Sequence, residues 1–359
     1  MKKNKEKSAL KEVKGIKHPP RLNTAFIRQR KAQNKQWDAA TYVRKIREGD
    51  KIFLSKAITL IESSRPEYFA LGQQIVKKCL PYSGHSVRIG ITGVPGVGKS
   101  TFIEALGKKY TSQGHKVAVL AIDPSSSLSK GSILGDKTRM EQLSRDPNAY
   151  IRPTASGNQL GGVARKTRET IILCEAAGFD KIMIETVGVG QSEVMAASMV
   201  DFFMLLKLAG AGDELQGIKR GIIEMADLIV INKAEADNLP AARLAQKAFQ
   251  TALHYYPPKS NGWIPEVVLA SALQEKGIDD IVGIIDKYVK QMQKNKTFEK
   301  KRQEQEIYWL QEVIKQSVLN RFYQQDFVMK NLEKLKQKIY NKEISVYEAA
   351  EILLNSPHI

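Results

Sequence analysis

Apolar residues recur at helical spacing in the first part of the chain. Leu54, Ala57, Ile58 and Ile61 fall at i, i+3, i+4 and i+7, and Leu71, Ile75, Val76 and Cys79, at i, i+4, i+5 and i+8, likewise share one helical face. Residues 38–80 therefore read as a helical module, broken at Arg65-Pro66, with Pro81-Tyr82-Ser83-Gly84 as the linker beyond it. The pattern then changes. Short apolar runs appear at Val87–Ile91, Val117–Ile122, Lys181–Ile184, Asp201–Leu206, Leu228–Ile231 and Glu266–Leu269, separated by helix-length segments. Continuous apolar runs are what strands buried on both faces require, so the predicted fold class is α/β, a mostly parallel sheet with helices on both faces. From about Asp279 the pattern is helical again. Ile307, Leu310, Ile314 and Val318 form one stripe on an otherwise polar helix. Such a stripe needs a covering surface, either its own domain or a second subunit, and the second is the preferred expectation.

Composition changes this picture little. A chain of 359 residues with 42% hydrophobic and 26% charged residues is long enough for two or three domains and ordinary for a soluble protein. No run of 18 apolar residues occurs, and the basic start Met1–Lys7 is not followed by an apolar signal-peptide core, so a cytoplasmic protein is expected. Cys79 and Cys174 sit in apolar helical patterns and read as reduced core residues. The net charge of +18 suggests an acidic partner, but residues 1–35 hold twelve Lys/Arg against Glu6 and Glu12. Over half of the excess thus lies in one loosely ordered arm, read as a solubilising tail in preference to a binding arm. The expected division is an arm at 1–36, a helical module at 37–84, an α/β domain at 85–286 and a C-terminal helical region at 287–359.

The chemistry begins after the first strand. Gly93-Val94-Pro95-Gly96-Val97-Gly98-Lys99-Ser100 fits G-x-x-x-x-G-K-[ST], and the strand, loop and helix context is that of a P-loop NTPase. The glycines let successive N–H groups converge on phosphate oxygens. Lys99 brings a compact charge to the β/γ-phosphates and Ser100 a hydroxyl to Mg²⁺. The helix that follows points its N-terminal dipole at the anion.

Ligands of parallel sheets bind beyond the strands' carboxyl ends, so the residues following each strand are the ones to inspect. Asp123-Pro124 is either a metal- or water-orienting carboxylate or a plain Asp-Pro turn. Glu185-Thr186-Val187-Gly188 fits a switch segment, with Glu185 reaching the Mg²⁺ shell and the Gly188 N–H reaching the γ-phosphate. Asn232-Lys233-Ala234-Glu235-Ala236-Asp237 approximates the guanine-reading N-K-x-D, with Glu235 at the usual Asp place and Asp237 two residues on. Either carboxylate could accept from the guanine N1 and N2 donors. Ala270-Ser271-Ala272 resembles the loop that supports the base through its backbone.

Taken together, Gly93 to Thr101, Asp123 to Ser126, Gly131 to Met140, Ile184 to Glu193, Ala209 to Lys219 and Asn232-Lys233 resemble the MeaB/ArgK/MMAA family of G-protein chaperones. The likeness spans roughly residues 40 to 330. It implies a homodimeric GTPase of the signal-recognition/MinD-like branch. Such proteins escort adenosylcobalamin-dependent acyl-CoA mutases, chiefly methylmalonyl-CoA mutase, gating cofactor loading and protecting or rescuing the mutase. The resemblance makes the Asp123 segment switch I, Glu185 to Gln191 switch II, and Leu208 to Lys219, with Asp213, Gln216 and Lys219, a third switch at the partner interface. It places Asp136 and Arg139 near Mg²⁺ and phosphate. Arg139 and Lys219 are the candidates for an arginine-finger role.

The five histidines lie in no D-x-H-x-x-G context, so cobalamin is expected on the partner. The expected activity is Mg²⁺-dependent hydrolysis of GTP to GDP and phosphate. The alternatives are a P-loop kinase acting on a small molecule or protein, and a nucleic-acid-associated GTPase motivated by the charge.

Overall fold

Seven short apolar segments pair into one parallel sheet. The structure, a computed structural model, describes residues 37–122, 140–153, 160–186, 192–209 and 220–355. The strands are β1 (Val87–Gly93), β2 (Val117–Ile122), β3 (Ala149–Pro153), β4 (Lys181–Thr186), β5 (Phe202–Leu208), β6 (Leu228–Asn232) and β7 (Glu266–Leu269), in the order β3-β2-β4-β1-β5-β6-β7. Every pairing is parallel. Strands β2 and β4 are buried along their whole length, as their unbroken apolar runs require. Edge strand β3 is the one that apolar patterning misses. Its sequence Ala-Tyr-Ile-Arg-Pro mixes a charge and a terminal proline into five residues, and proline is tolerated there because the strand lies at the edge.

The helices in chain order are α1 (Ala39–Arg47), α2 (Lys51–Glu62), α3 (Pro66–Cys79), α4 (Lys99–Ser112), α5 (Glu141–Arg145), α6 (Leu160–Ala176), α7 (Ser192–Ala197) and α8 (Arg220–Met225). They continue with α9 (Leu239–Leu253), α10 (Ile278–Lys294), α11 (Thr297–Tyr323), α12 (Asp326–Tyr340) and α13 (Val346–Leu354). The N-terminal helical module is three helices. Besides the break before Pro66, the chain stops at Gly49, and Asp50 caps α2 by accepting from the Ile52 and Phe53 N–H groups.

The two faces of the sheet carry separate cores. On one, Phe102, Ile103 and Leu106 of α4 pack with Ile281, Ile285 and Tyr288 of α10 against β1, β4 and β5. On the other, Leu54, Ile58, Ile75 and Cys79 of the N-terminal helices join Leu173 and Cys174 of α6 over β2 and β4. Both cysteines are buried and free. Helix α11 reaches both cores, with Phe298 in the first and Trp309 in the second, and so straps across the amino edge of the sheet. The α12/α13 hairpin has a small core of its own around Val328, Leu335, Ala349 and Leu353. Among the described residues no helix is long and apolar enough to cross a membrane.

Candidate functional site

The loop after β1 leaves the centre of the sheet, between β4 and β5, at its carboxyl edge. Gly93 is fixed there by crowding, because a Cβ at this position would stand 2.6 Å from the Leu206 carbonyl oxygen of β5. Gly98 has φ of 90°, in the left-handed region, and a Cβ there would sit 3.0 Å from the Asn232 amide nitrogen. Val97 between them is fully buried and anchors the loop to the core below. Gly98 is the N-cap of α4, gives it no side-chain cap, and no acidic residue occupies the first turn. The first N–H groups of α4 are therefore open to an anion.

Lys99 folds back over this loop. Its ammonium donates to the carbonyls of Gly93 at 2.8 Å and Val94 at 3.2 Å. Burial pulls its pKa down, and the charges of Glu185 and Glu193 oppose that pull. The carboxylates of β4 and α7 thus face the P-loop lysine, and both are buried. Register brings this about, since β1 and β4 pair Ile91 with Glu185. Next along, the Thr186 hydroxyl donates to the Thr92 hydroxyl at 2.8 Å, tying the exit of β4 to the entrance of the P-loop.

A second cluster closes the other side. Asn232, at the end of β6, donates from Nδ2 to the Val97 carbonyl at 2.8 Å and accepts from the Ala272 N–H at 3.2 Å. One buried amide therefore links the phosphate loop to the loop after β7. The Ala234 N–H donates to the Ala270 carbonyl at 3.0 Å, and the Ser271 hydroxyl donates to the Glu235 carboxylate. The stem of Lys233 runs beside Gly98.

The structure thus brings together Gly93 to Thr101, Glu185, Asn232, Lys233, Glu235, Ser271 and Ala272 at one edge. Asp123, Asp136, Arg139, Gly188, Asp213, Gln216 and Lys219 lie outside the described residues. Sequence patterning missed the Thr92–Thr186 pair and the placement of Glu193. Threonine at a strand end carries no signal of its own, and only strand register shows the contact.

Ser100 and Glu185 offer a hydroxyl and a carboxylate, oxygen donors that fit Mg²⁺. Among the described residues no three His, Cys, Asp or Glu side chains gather as a metal site.

A cavity of about 1340 Å³ opens at the opposite, amino edge, lined among others by Asp201, Asp227, Trp263 and Tyr288. It is a poor phosphate site. Its Lys259 is held by Asp227 at 2.6 Å, and its Lys301 donates to the Asp201 carbonyl at 2.6 Å.

A family model described as methylmalonyl-CoA mutase-associated GTPase MeaB matches residues 54–326. The chain belongs to this family. It is accordingly a GTPase. The match ends where α12 begins, so the α12/α13 hairpin lies beyond it. Curated relatives agree. The GTPase ArgK of Escherichia coli is 46% identical over 289 residues, 80% of this chain and 87% of that protein. The mitochondrial methylmalonic aciduria type A homolog of mouse is 43% identical over 319 residues, 86% of this chain and 77% of that protein. The crystal structure of a LAO/AO transport system kinase superposes with a TM-score of 0.71 at 37% identity, covering 88% of this chain and 96% of that one.

Proposed function

We propose that this GTPase works with Mg²⁺ as the chaperone of an adenosylcobalamin-dependent acyl-CoA mutase, methylmalonyl-CoA mutase first among them. In this reading it gates cofactor loading and protects or reactivates the mutase, while cobalamin stays on the partner. The observation that carries the reading is the Thr92–Thr186 contact. It joins the phosphate loop to the strand that leads into residues 187–191, where a γ-phosphate sensor is needed. The family's description as mutase-associated supplies the partner class.

The chemistry is phosphoryl transfer to water, which asks for positioning and charge stabilisation, not covalent catalysis. Lys99 already stands over the loop. On binding it exchanges the carbonyls of Gly93 and Val94 for phosphate oxygens, and the anion relieves the desolvation that its burial imposes. The open N–H groups of α4 hold the phosphates in line. Ser100 and Glu185 would hold Mg²⁺, which when bound neutralises charge developing on the phosphates. Asp123 and Asp136 belong to the same proposed shell, with Arg139 beside the phosphates.

Glu185 to Gln191, with the Gly188 N–H, and Leu208 to Lys219, with Asp213, Gln216 and Lys219, are the proposed switches. They are held while the γ-phosphate is present and released after hydrolysis. Helices α7 and α8 follow these two segments directly and would carry their state to the surface.

A homodimer completes the proposal. Ile307, Leu310, Ile314 and Val318 are each more than half exposed on α11, and that apolar stripe suits a second copy. Co-purification of the full chain with candidate mutases, in GDP and in a non-hydrolysable GTP analogue, tests the reading. A complex that differs between the two nucleotides, and loses that difference in Lys99→Ala, is the expected result. A complex with no nucleotide sensitivity, or none at all, overturns it.

A further inference from the structure

Helix α5, Glu141–Arg145, has five residues, too few to hold itself as a helix in water. Its neighbours hold it. Its N-cap is Met140, whose side chain makes no cap hydrogen bond. The carboxylate of Glu141, in the first turn, is engaged by Arg145. The cap arrives instead from another helix. Half-buried Glu104 of α4 accepts from the Gln142 N–H at 2.8 Å and, more weakly, from the Leu143 N–H at 3.4 Å, both at Oε1. These are the second and third N–H groups of α5, the ones an N-cap side chain ordinarily serves.

Packing fixes the same junction. Met140 and Leu143 are fully buried, in the core that holds Phe102, Ile103 and Leu106 of α4. Gly107 of α4 makes room for Leu143, because a Cβ there would stand 2.6 Å from the leucine Cδ2. Beyond the C-terminal end of α5, the Lys51 ammonium of α2 donates to the Pro147 and Ala149 carbonyls at 2.7 and 2.6 Å. Helix α5 is therefore a fixed point between the P-loop helix and the N-terminal module.

Position in the chain gives the Glu104 contact its consequence. Met140 directly follows residues 123–139, and Arg139 and Asp136 stand one and four residues ahead of it. Glu104 follows Ser100 by four residues, so the two share one face of α4. The point where residues 123–139 end is thus set from the helix that carries Ser100. We propose that Glu104 is a positioning residue for GTP hydrolysis. By capping α5 it fixes that point against the P-loop, and it acts on the nucleotide only through the residues before it. The inference rests on the reading that Asp136 and Arg139 work at the metal and the phosphates. Reacting groups displaced by about 1 Å can cost about 100-fold in rate, so a cap far from the chemistry is enough to matter.

GTP turnover separates positioning from mere support. kcat, KM and GDP affinity are measured on the full chain for the unaltered protein and for Glu104→Ala, Glu104→Gln, Asp136→Ala and Arg139→Ala. Thermal melting is followed for each, so that rates refer to folded protein. Glu104→Ala is expected to lower kcat about 10- to 100-fold, while KM and GDP affinity stay within about threefold. Glu104→Gln keeps an oxygen acceptor at the same reach and should recover kcat to within about fivefold of the unaltered protein. A purely structural cap would lower the melting temperature and leave kcat of the folded protein unchanged, and that result overturns the inference. So does a rise in KM with kcat kept, or a glutamine variant no better than alanine. Slow turnover in Asp136→Ala and Arg139→Ala beside normal turnover in Glu104→Ala overturns the inference alone. Unaltered turnover in both Asp136→Ala and Arg139→Ala overturns the reading beneath it.

Discussion

Asp201 and Arg302 form a bidentate ion pair across the amino edge of the sheet, with Nε to Oδ1 at 2.8 Å and Nη2 to Oδ2 at 2.7 Å. The aspartate side chain is 2% exposed and the arginine side chain 13%. Arg302 also donates to the Gly84 and Ser86 carbonyls, each at 2.6 Å. Burial pulls the guanidinium pKa down, but the hydrogen bonds and charge of Asp201 outweigh it and hold the pKa above its usual value. Arg302→Ala would leave the Asp201 carboxylate buried with much of its compensation gone. A loss of about 3–5 kcal/mol is expected, read from chemical denaturation. Helix α11 should then loosen first, seen as faster hydrogen exchange there than in β1.

Gly98→Ala is expected to damage the phosphate loop through its backbone. A non-glycine residue in the left-handed region costs about 1–2 kcal/mol, and the new methyl presses on the Asn232 amide at 3.0 Å. Melting should fall by a few degrees while affinity for GDP falls more steeply, because Asn232 ties this loop to the base-side loop. Calorimetry of the variant with and without GDP separates the two effects.

Glu169 makes stability depend on pH. Burial raises its pKa above the ordinary 4.5, and only one of its oxygens is hydrogen-bonded among the described residues, to Gln73 at 2.9 Å. A raised folded pKa means the native state prefers the proton. The contribution is present in full below the unfolded value near 4.5 and is lost as pH rises through the higher folded value. Glu169→Gln keeps a partner for Gln73 and removes the charge. It should be more stable than the unaltered chain at pH 7, with the difference shrinking toward pH 4, as measured by denaturant midpoints at the two pH values.

Replacing Leu310 and Ile314 by Asp on the exposed face of α11 should leave the monomer fold alone, since neither residue joins a core. Sedimentation equilibrium is expected to move from twice the chain mass to the mass of a single chain. A dimer that survives the double substitution would place the subunit interface elsewhere.

Much of this was legible in the residues. Continuous apolar runs gave six of the seven strands, because a strand covered on both faces has no polar positions to disguise it. The P-loop was legible because phosphate binding constrains backbone conformation, and only glycine tolerates φ of 90° at residue 98. Edge strand β3 was hidden for the converse reason. An edge position imposes little pattern, so Arg152 and Pro153 are tolerated.

The stripe on α11 shows where patterning stops. Ile307, Leu310, Ile314 and Val318 are the residues the eye selects, yet they face outward. The docked face is Phe298, Arg302, Gln305 and Trp309, whose polar members meet strand-end carbonyls and Asp201. No hydrophobic period marks a face that docks by hydrogen bonds.

By itself the sequence determined the fold class and the family, because buried strands and a glycine-rich loop that turns through the left-handed region dictate local composition. Tertiary structure decided what depends on distance between remote segments. It set Thr186 against Thr92, Asn232 against Val97, and Ser271 against Glu235 and not Asp237. Those contacts follow from strand order and register, which local spacing does not encode.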